Sequence, residues 1–180
     1  MKGKHHIKVS NNKLSYSIAL DRKITIIKGK SGTGKTTLVG MLDLWLRQKR
    51  ASGVKCVCSA DIVILNELSD WVNLLKDNSG KIFIADEYVK YLSWQSFGEA
   101  VNNSDNYFLF ITRSGSLGNM TYAVSSILEL KTEKKGNYFF TSAYPKYFDN
   151  RVYVKPDFVV TEDSNSGNDM MKFLLPSTHI

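Results

Sequence analysis

Two short stretches of this 180-residue chain carry residue types spaced for chemistry on a phosphate. The first is Gly29-Lys30-Ser31-Gly32-Thr33-Gly34-Lys35-Thr36, a Gly, four residues, then Gly-Lys-Thr. Gly29, Gly32 and Gly34 permit backbone angles and close approaches that a Cβ forbids, so successive amide N–H groups can turn inward toward phosphate oxygens. Lys35 supplies a mobile positive charge for the outer phosphates and Thr36 a hydroxyl for Mg²⁺, while Lys30, Ser31, Thr33 and Thr37 complete the loop. The second stretch is Lys81-Ile82-Phe83-Ile84-Ala85-Asp86-Glu87, a short apolar run that ends in two adjacent carboxylates.

Each stretch needs elements to hold it. Ile24-Thr25-Ile26-Ile27 is β-branched and apolar, which reads as a buried strand feeding the glycine loop. Thr36 to Leu46 keeps helical spacing, and a helix beginning there points its positive end at the same anion. Upstream, His5 to Ser10 and Leu14 to Leu20 alternate about the turn Asn11-Asn12-Lys13 and predict a hairpin. Downstream, Val54 to Cys58 reads as a strand, Asp61 to Leu65 as strand or helix, Asn66 to Asp77 as a helix, and Tyr88 to Val101 as another helix. Tyr107 to Ile111 is a fully apolar strand ending in Thr112-Arg113. A loop at Ser114 to Asn119 follows, and then a hairpin turning at Glu133-Lys134-Lys135-Gly136. The expected division is a domain over 1–145 and an extension over 146–180, read as a docking segment or a loose terminus.

Composition bounds the rest. The chain is 43% hydrophobic and 12% aromatic with a net charge of +7, which fits one folded domain with a real core. It has no run approaching the roughly 18 apolar residues of a membrane span, and no signal peptide is evident, so a cytoplasmic location is expected. Cys56 and Cys58 read as reduced packing residues. The lysines of the N-terminal strands make nucleic acid a possible partner.

The order of parts resembles the additional-strand, catalytic-glutamate division of phosphate-loop ATPases, and within it a minimal ABC- or AAA-type core. The resemblance implies a three-layer α/β/α sandwich with a mainly parallel central sheet and added N- and C-terminal β-hairpins. It also implies that Asp86-Glu87 is a Walker B pair, with Asp86 on Mg²⁺ and Glu87 polarising an attacking water, that Thr112 senses the terminal phosphate, and that Arg113 reaches the phosphates or a partner. The chain departs from ABC-type cores in having no Leu-Ser-Gly-Gly signature, and in carrying Arg113 where they have a switch histidine. Phe158 to Asp163 faintly resembles part of a TOPRIM-type nuclease module, without that module's later acids.

Three functions fit these residues. The first is an ATPase using ATP and Mg²⁺, its slow hydrolysis coupled to a conformational change or to a protein partner, with an oligomer as a possible state. The second is a nucleotide-dependent interaction module with little hydrolysis. The third, a small-molecule or nucleotide kinase, is disfavoured because Ser114 to Ser125 contains no charged residue.

Overall fold

A computed structural model describes residues 4–113, 117, 120–147, 169 and 172. The readings made for the 146–180 extension, including the nuclease-like segment, lie almost wholly outside those residues, as does most of the loop at Ser114 to Asn119.

The described strands, β1 (His5–Ser10), β2 (Leu14–Leu20), β3 (Ile24–Lys28), β4 (Lys55–Cys58), β5 (Ile62–Leu65), β6 (Ile82–Asp86), β7 (Tyr107–Thr112), β8 (Ile127–Lys135) and β9 (Tyr138–Pro145), join one sheet in the order β4-β1-β2-β9-β8-β3-β7-β6-β5. The pairs β2–β9, β3–β8, β3–β7, β5–β6 and β6–β7 are parallel, whereas β1–β2, β1–β4 and β8–β9 are antiparallel. The two edge strands are neighbours in sequence: β4 ends at Cys58 and β5 begins at Ile62. So short a link forces the edges together at that end, and the sheet curls into a nearly closed, barrel-like form. At the same end His5 of β1 meets Tyr107 of β7, with ring centroids 4.1 Å apart, and accepts or donates a 2.8 Å hydrogen bond with Ser59.

This overturns the expected three-layer α/β/α sandwich with a mainly parallel central sheet. The described residues hold α-helices of 14, 6 and 9 residues, α1 (Lys35–Gln48), α2 (Trp71–Lys76) and α3 (Gln95–Asn103), too few and too short to form covering layers. The hairpins are not additions to a central sheet. The β1–β2 hairpin buries its apolar face against α1, and β8 and β9 pack Leu130 and Ala143 on the same core.

That burial explains the inner core. Along α1 the apolar residues Leu38, Met41, Leu42 and Trp45 fall on one stripe, and Leu38 and Leu42 are fully buried against Ile7, Val9 and Ile18 of the hairpin and Ile82, Ile84, Leu109 and Ile111 of the parallel strands. A second core lies on the opposite face of β3, β7 and β6. There Phe83, Phe108 and Phe110 stack at 5.7 Å centroid spacing, and Trp71, Tyr91 and Phe97 cover them. The parallel strands are therefore buried on both faces, which is why they read as unbroken apolar runs.

Two helical expectations are shortened. Asn66 and Ser69 close a turn instead, with Leu68 N–H donating to Asn66 Oδ1 and Asn66 N–H to Ser69 Oγ, and α2 starts only after Asp70 caps it. Between Tyr88 and Val101, a 3-10 turn at Lys90–Ser93 precedes α3, because Trp94 is extended (φ −78, ψ 137). Asp61 to Leu65 resolves as a strand, β5. Buried Asn106 secures the amino ends of the parallel strands, accepting from Lys81 N–H and donating to the Asn78 carbonyl.

Candidate functional site

The carboxyl ends of β3, β7 and β6 lie side by side, with Lys28 paired to Thr112 and Ile111 to Asp86. Sites in sheets of parallel strands sit at this edge, where the connecting loops converge. The glycine loop leaves β3 here, and its first N–H, from Gly29, donates to the Thr112 carbonyl at 3.3 Å.

Gly32 and Gly34 both take left-handed angles, φ 82 and φ 85. Gly34 is also the N-cap of α1 and offers no side chain to its first turn, whose opening N–H groups have no intrahelical acceptor and face the loop. No acid stands in that turn, so nothing there competes with an anion.

Lys35 is 93% buried by its 7% exposure and folds back into the loop. Its ammonium donates to the carbonyls of Gly29 and Lys30, each at 2.6 Å, and to Thr33 Oγ1 at 3.2 Å. Burial lowers its pKa below the ordinary lysine value; Glu87 and Asp86 pull it back up, and Arg113 pushes it down.

Ser31 to Thr37, Asp86, Glu87 and Arg113 line a single cleft of about 210 Å³. Within it Asp86 Oδ1 accepts the Glu87 N–H at 2.7 Å. Glu87 Oε1 pairs with Arg113 Nε at 2.6 Å, and Glu87 Oε2 accepts the Arg113 N–H at 2.8 Å. Arg113 Nη2 reaches Tyr88 Oη at 3.4 Å. Thr112 is buried, ends β7 beneath this cleft and does not line it; Gly29 and Lys30 contribute through carbonyls that hold Lys35.

Sequence reasoning missed Tyr16. From β2 it reaches beneath the loop, its hydroxyl donating to the Gly34 carbonyl at 2.8 Å, and a Cβ at position 34 would lie 2.6 Å from that oxygen. Burial raises the phenol's pKa, with a hydrogen bond to Thr37 opposing the rise. No local signal marks this role, since an inward tyrosine on an alternating strand reads as packing.

Strand, glycine loop and helix facing an acid-ended strand define a class of protein that handles nucleoside triphosphates. Residues 7–142 match the model of the family described as Novel STAND NTPase 3, and the chain belongs to that family. It is thus an NTPase of the STAND and phosphate-loop class, and the match does not support the narrower ABC- or AAA-like core. No curated protein matches the sequence. Among the described residues no helix is long and apolar enough to cross a membrane.

Proposed function

We propose that the chain binds Mg²⁺·ATP at this cleft and hydrolyses it slowly, passing the change of state to a partner. The observation that carries the reading is the shared cleft of the glycine loop, Asp86, Glu87 and Arg113.

Lys35 is already desolvated and has only neutral oxygens to hold, so a phosphate oxygen between β and γ positions is a stronger partner than the carbonyls it now takes. Thr36 and Asp86 offer one hydroxyl and one carboxylate to a cation. Among the described residues no cluster of three or more His, Cys, Asp or Glu gathers as a metal site. So sparse a set fits Mg²⁺, which keeps several waters and leans on substrate phosphates. When bound, the ion neutralises charge on the phosphate chain.

Glu87 is the proposed base, and here it is engaged twice by Arg113. Arg113 is 48% exposed in that pair, so the pair contributes about 1 kcal/mol or less and is readily exchanged. A terminal phosphate carries more charge than one carboxylate. Arg113 turning to it would leave Glu87 able to orient water, coupling occupancy of the cleft to activation of the base. Thr112 would act from beneath, through the position of β7, as the proposed sensor.

Hydrolysis should be slow, because catalysis of this kind is positioning plus electrostatics. In a phosphate-release assay with ATP and GTP, Glu87→Gln should lower turnover about 100-fold or more while still binding nucleotide. Wild-type turnover in that variant would remove Glu87 from the role. A nucleotide-dependent interaction module is the second reading, favoured by the same Glu87–Arg113 pair if it never opens; it corresponds to tight binding with no turnover in either protein.

A further inference from the structure

One face of the β4-β1-β2-β9-β8 half of the sheet is turned away from the inner core. Register fixes its occupants, since directly opposed residues share a face. On β9 these are Tyr138, Phe140 and Tyr144, paired with Lys135, Glu133 and Glu129 of β8, and Lys131 stands opposite Ser142 between them. The face continues through Ser15 and Ser17 of β2, opposite Phe140 and Ser142, to Lys8 of β1 and its partner Val57 of β4.

Three properties of this face belong together. Two of its rings are exposed, Phe140 by 43% and Tyr144 by 40%, where an ordinary hairpin would place polar residues, and Tyr138 is half-buried with its hydroxyl donating to the Asn11 carbonyl. Two of the rings have an ammonium over them, Lys131 at 5.6 Å from the Tyr144 centroid and Lys135 at 5.7 Å from Phe140. The two acids pair with those same lysines, Glu129 with Lys131 at 3.2 Å and Glu133 with Lys135 at 3.9 Å, in exposed contacts weak enough for a phosphate to displace the carboxylate, and Lys8 gives the face three lysines against two acids.

Rings flanked by lysines match a ligand that alternates flat apolar surfaces with single negative charges. Tyr138 and Phe140 lie side by side with centroids 4.8 Å apart and planes inclined by 53°, so Phe140 offers the first stacking face and Tyr138 its edge. Tyr144 offers another face, roughly 13 Å along the strand at about 3.3 Å per residue. We propose that the outward face of β2, β9 and β8 binds single-stranded nucleic acid, with bases stacking on Phe140 and Tyr144 and phosphates meeting Lys8, Lys131 and Lys135. Duplexes keep their bases stacked on each other and offer these rings nothing. The proposal is independent of the nucleotide cleft, which opens at the carboxyl ends of β3, β7 and β6.

Fluorescence anisotropy on the full chain tests it, using labelled oligothymidylate and oligouridylate of about 20 nucleotides, longer than the roughly 4–16 that a small fold covers. Both should bind. Their log affinity should fall with log salt at a slope on the order of −2, since each neutralised phosphate contributes about −0.7. The pair Phe140→Ala and Tyr144→Ala should weaken binding about tenfold or more, leaving the melting temperature unchanged. Should that pair alter melting, Lys131→Gln with Lys135→Gln gives a second readout, a salt slope shallower by about 1.4. Absence of binding would overturn the proposal. Equal affinity for a duplex, or for polyglutamate of the same charge, would reduce the face to a general anion or acidic-protein surface and overturn it equally.

Discussion

The two halves of the sheet solve burial differently. The parallel strands β3, β7 and β6 are covered on both faces, by α1 on one and by the Phe97 and Tyr91 cluster on the other, and they end in the cleft. The hairpin strands β1, β2, β8 and β9 are covered on one face only, and their outer face keeps exposed rings and lysines. The lesson is that rigidity and chemistry are concentrated in the doubly buried half, while the other half shares its inner core and braces the glycine loop through Tyr16 on Gly34.

The strongest way to break this contrast is to cut a large side chain from each half. Phe108→Ala, fully buried in the aromatic stack, should cost about 3–5 kcal/mol. Val57→Ala, at 70% exposure on β4, should stay within about 0.5 kcal/mol. Urea unfolding of the two variants measures the difference, and similar losses would mean that the halves are not built differently.

Gly34→Ala probes the brace next. Its left-handed φ of 85 costs an alanine about 1–2 kcal/mol, and the new Cβ would also displace the Tyr16 hydroxyl. Thermal melting should register the loss, and Mg²⁺·ATP binding should weaken with it.

Tyr16→Phe sharpens the comparison most finely. It should cost about 1 kcal/mol, because the half-buried Gly34 carbonyl loses one of two donors and keeps only the Leu38 N–H. It should also change the alkaline limb. The folded phenol holds its proton to a higher pH than its ordinary 10.0, so the unfolded chain binds fewer protons above that pH, and stability falls as pH rises. The variant's stability should fall less steeply than wild type above pH 10 in the same unfolding assay.

Much of the doubly buried half was legible because its chemistry is local. Ile24 to Ile27 and Ile82 to Ala85 are apolar at every position or nearly so, and the glycine loop and the Asp86-Glu87 pair each lie at the end of such a run. The β1–β2 hairpin was legible from strict alternation. Helical spacing misled at Asn66 to Ser69, where Leu68 is 95% exposed and side-chain hydrogen bonds favour a turn. The curl of the sheet was hidden for a different reason. It depends on β2 pairing with β9, Leu14 opposite Phe139, a contact between distant segments that no local period encodes. The Glu87–Arg113 pair and the Tyr16 brace were hidden likewise, since each arises only when separate strands align.

Calorimetric titration of Mg²⁺·ATP into the wild-type chain, Lys35→Ala and Asp86→Asn is the most direct test that loop and acid pair serve one ligand. The wild type should bind with saturable heat, Lys35→Ala should lose at least about 2 kcal/mol of affinity through its missing charge-assisted contact, and Asp86→Asn should bind ATP with reduced dependence on Mg²⁺. Absence of binding heat in the wild type, or unchanged Mg²⁺ dependence in Asp86→Asn, would contradict a shared site.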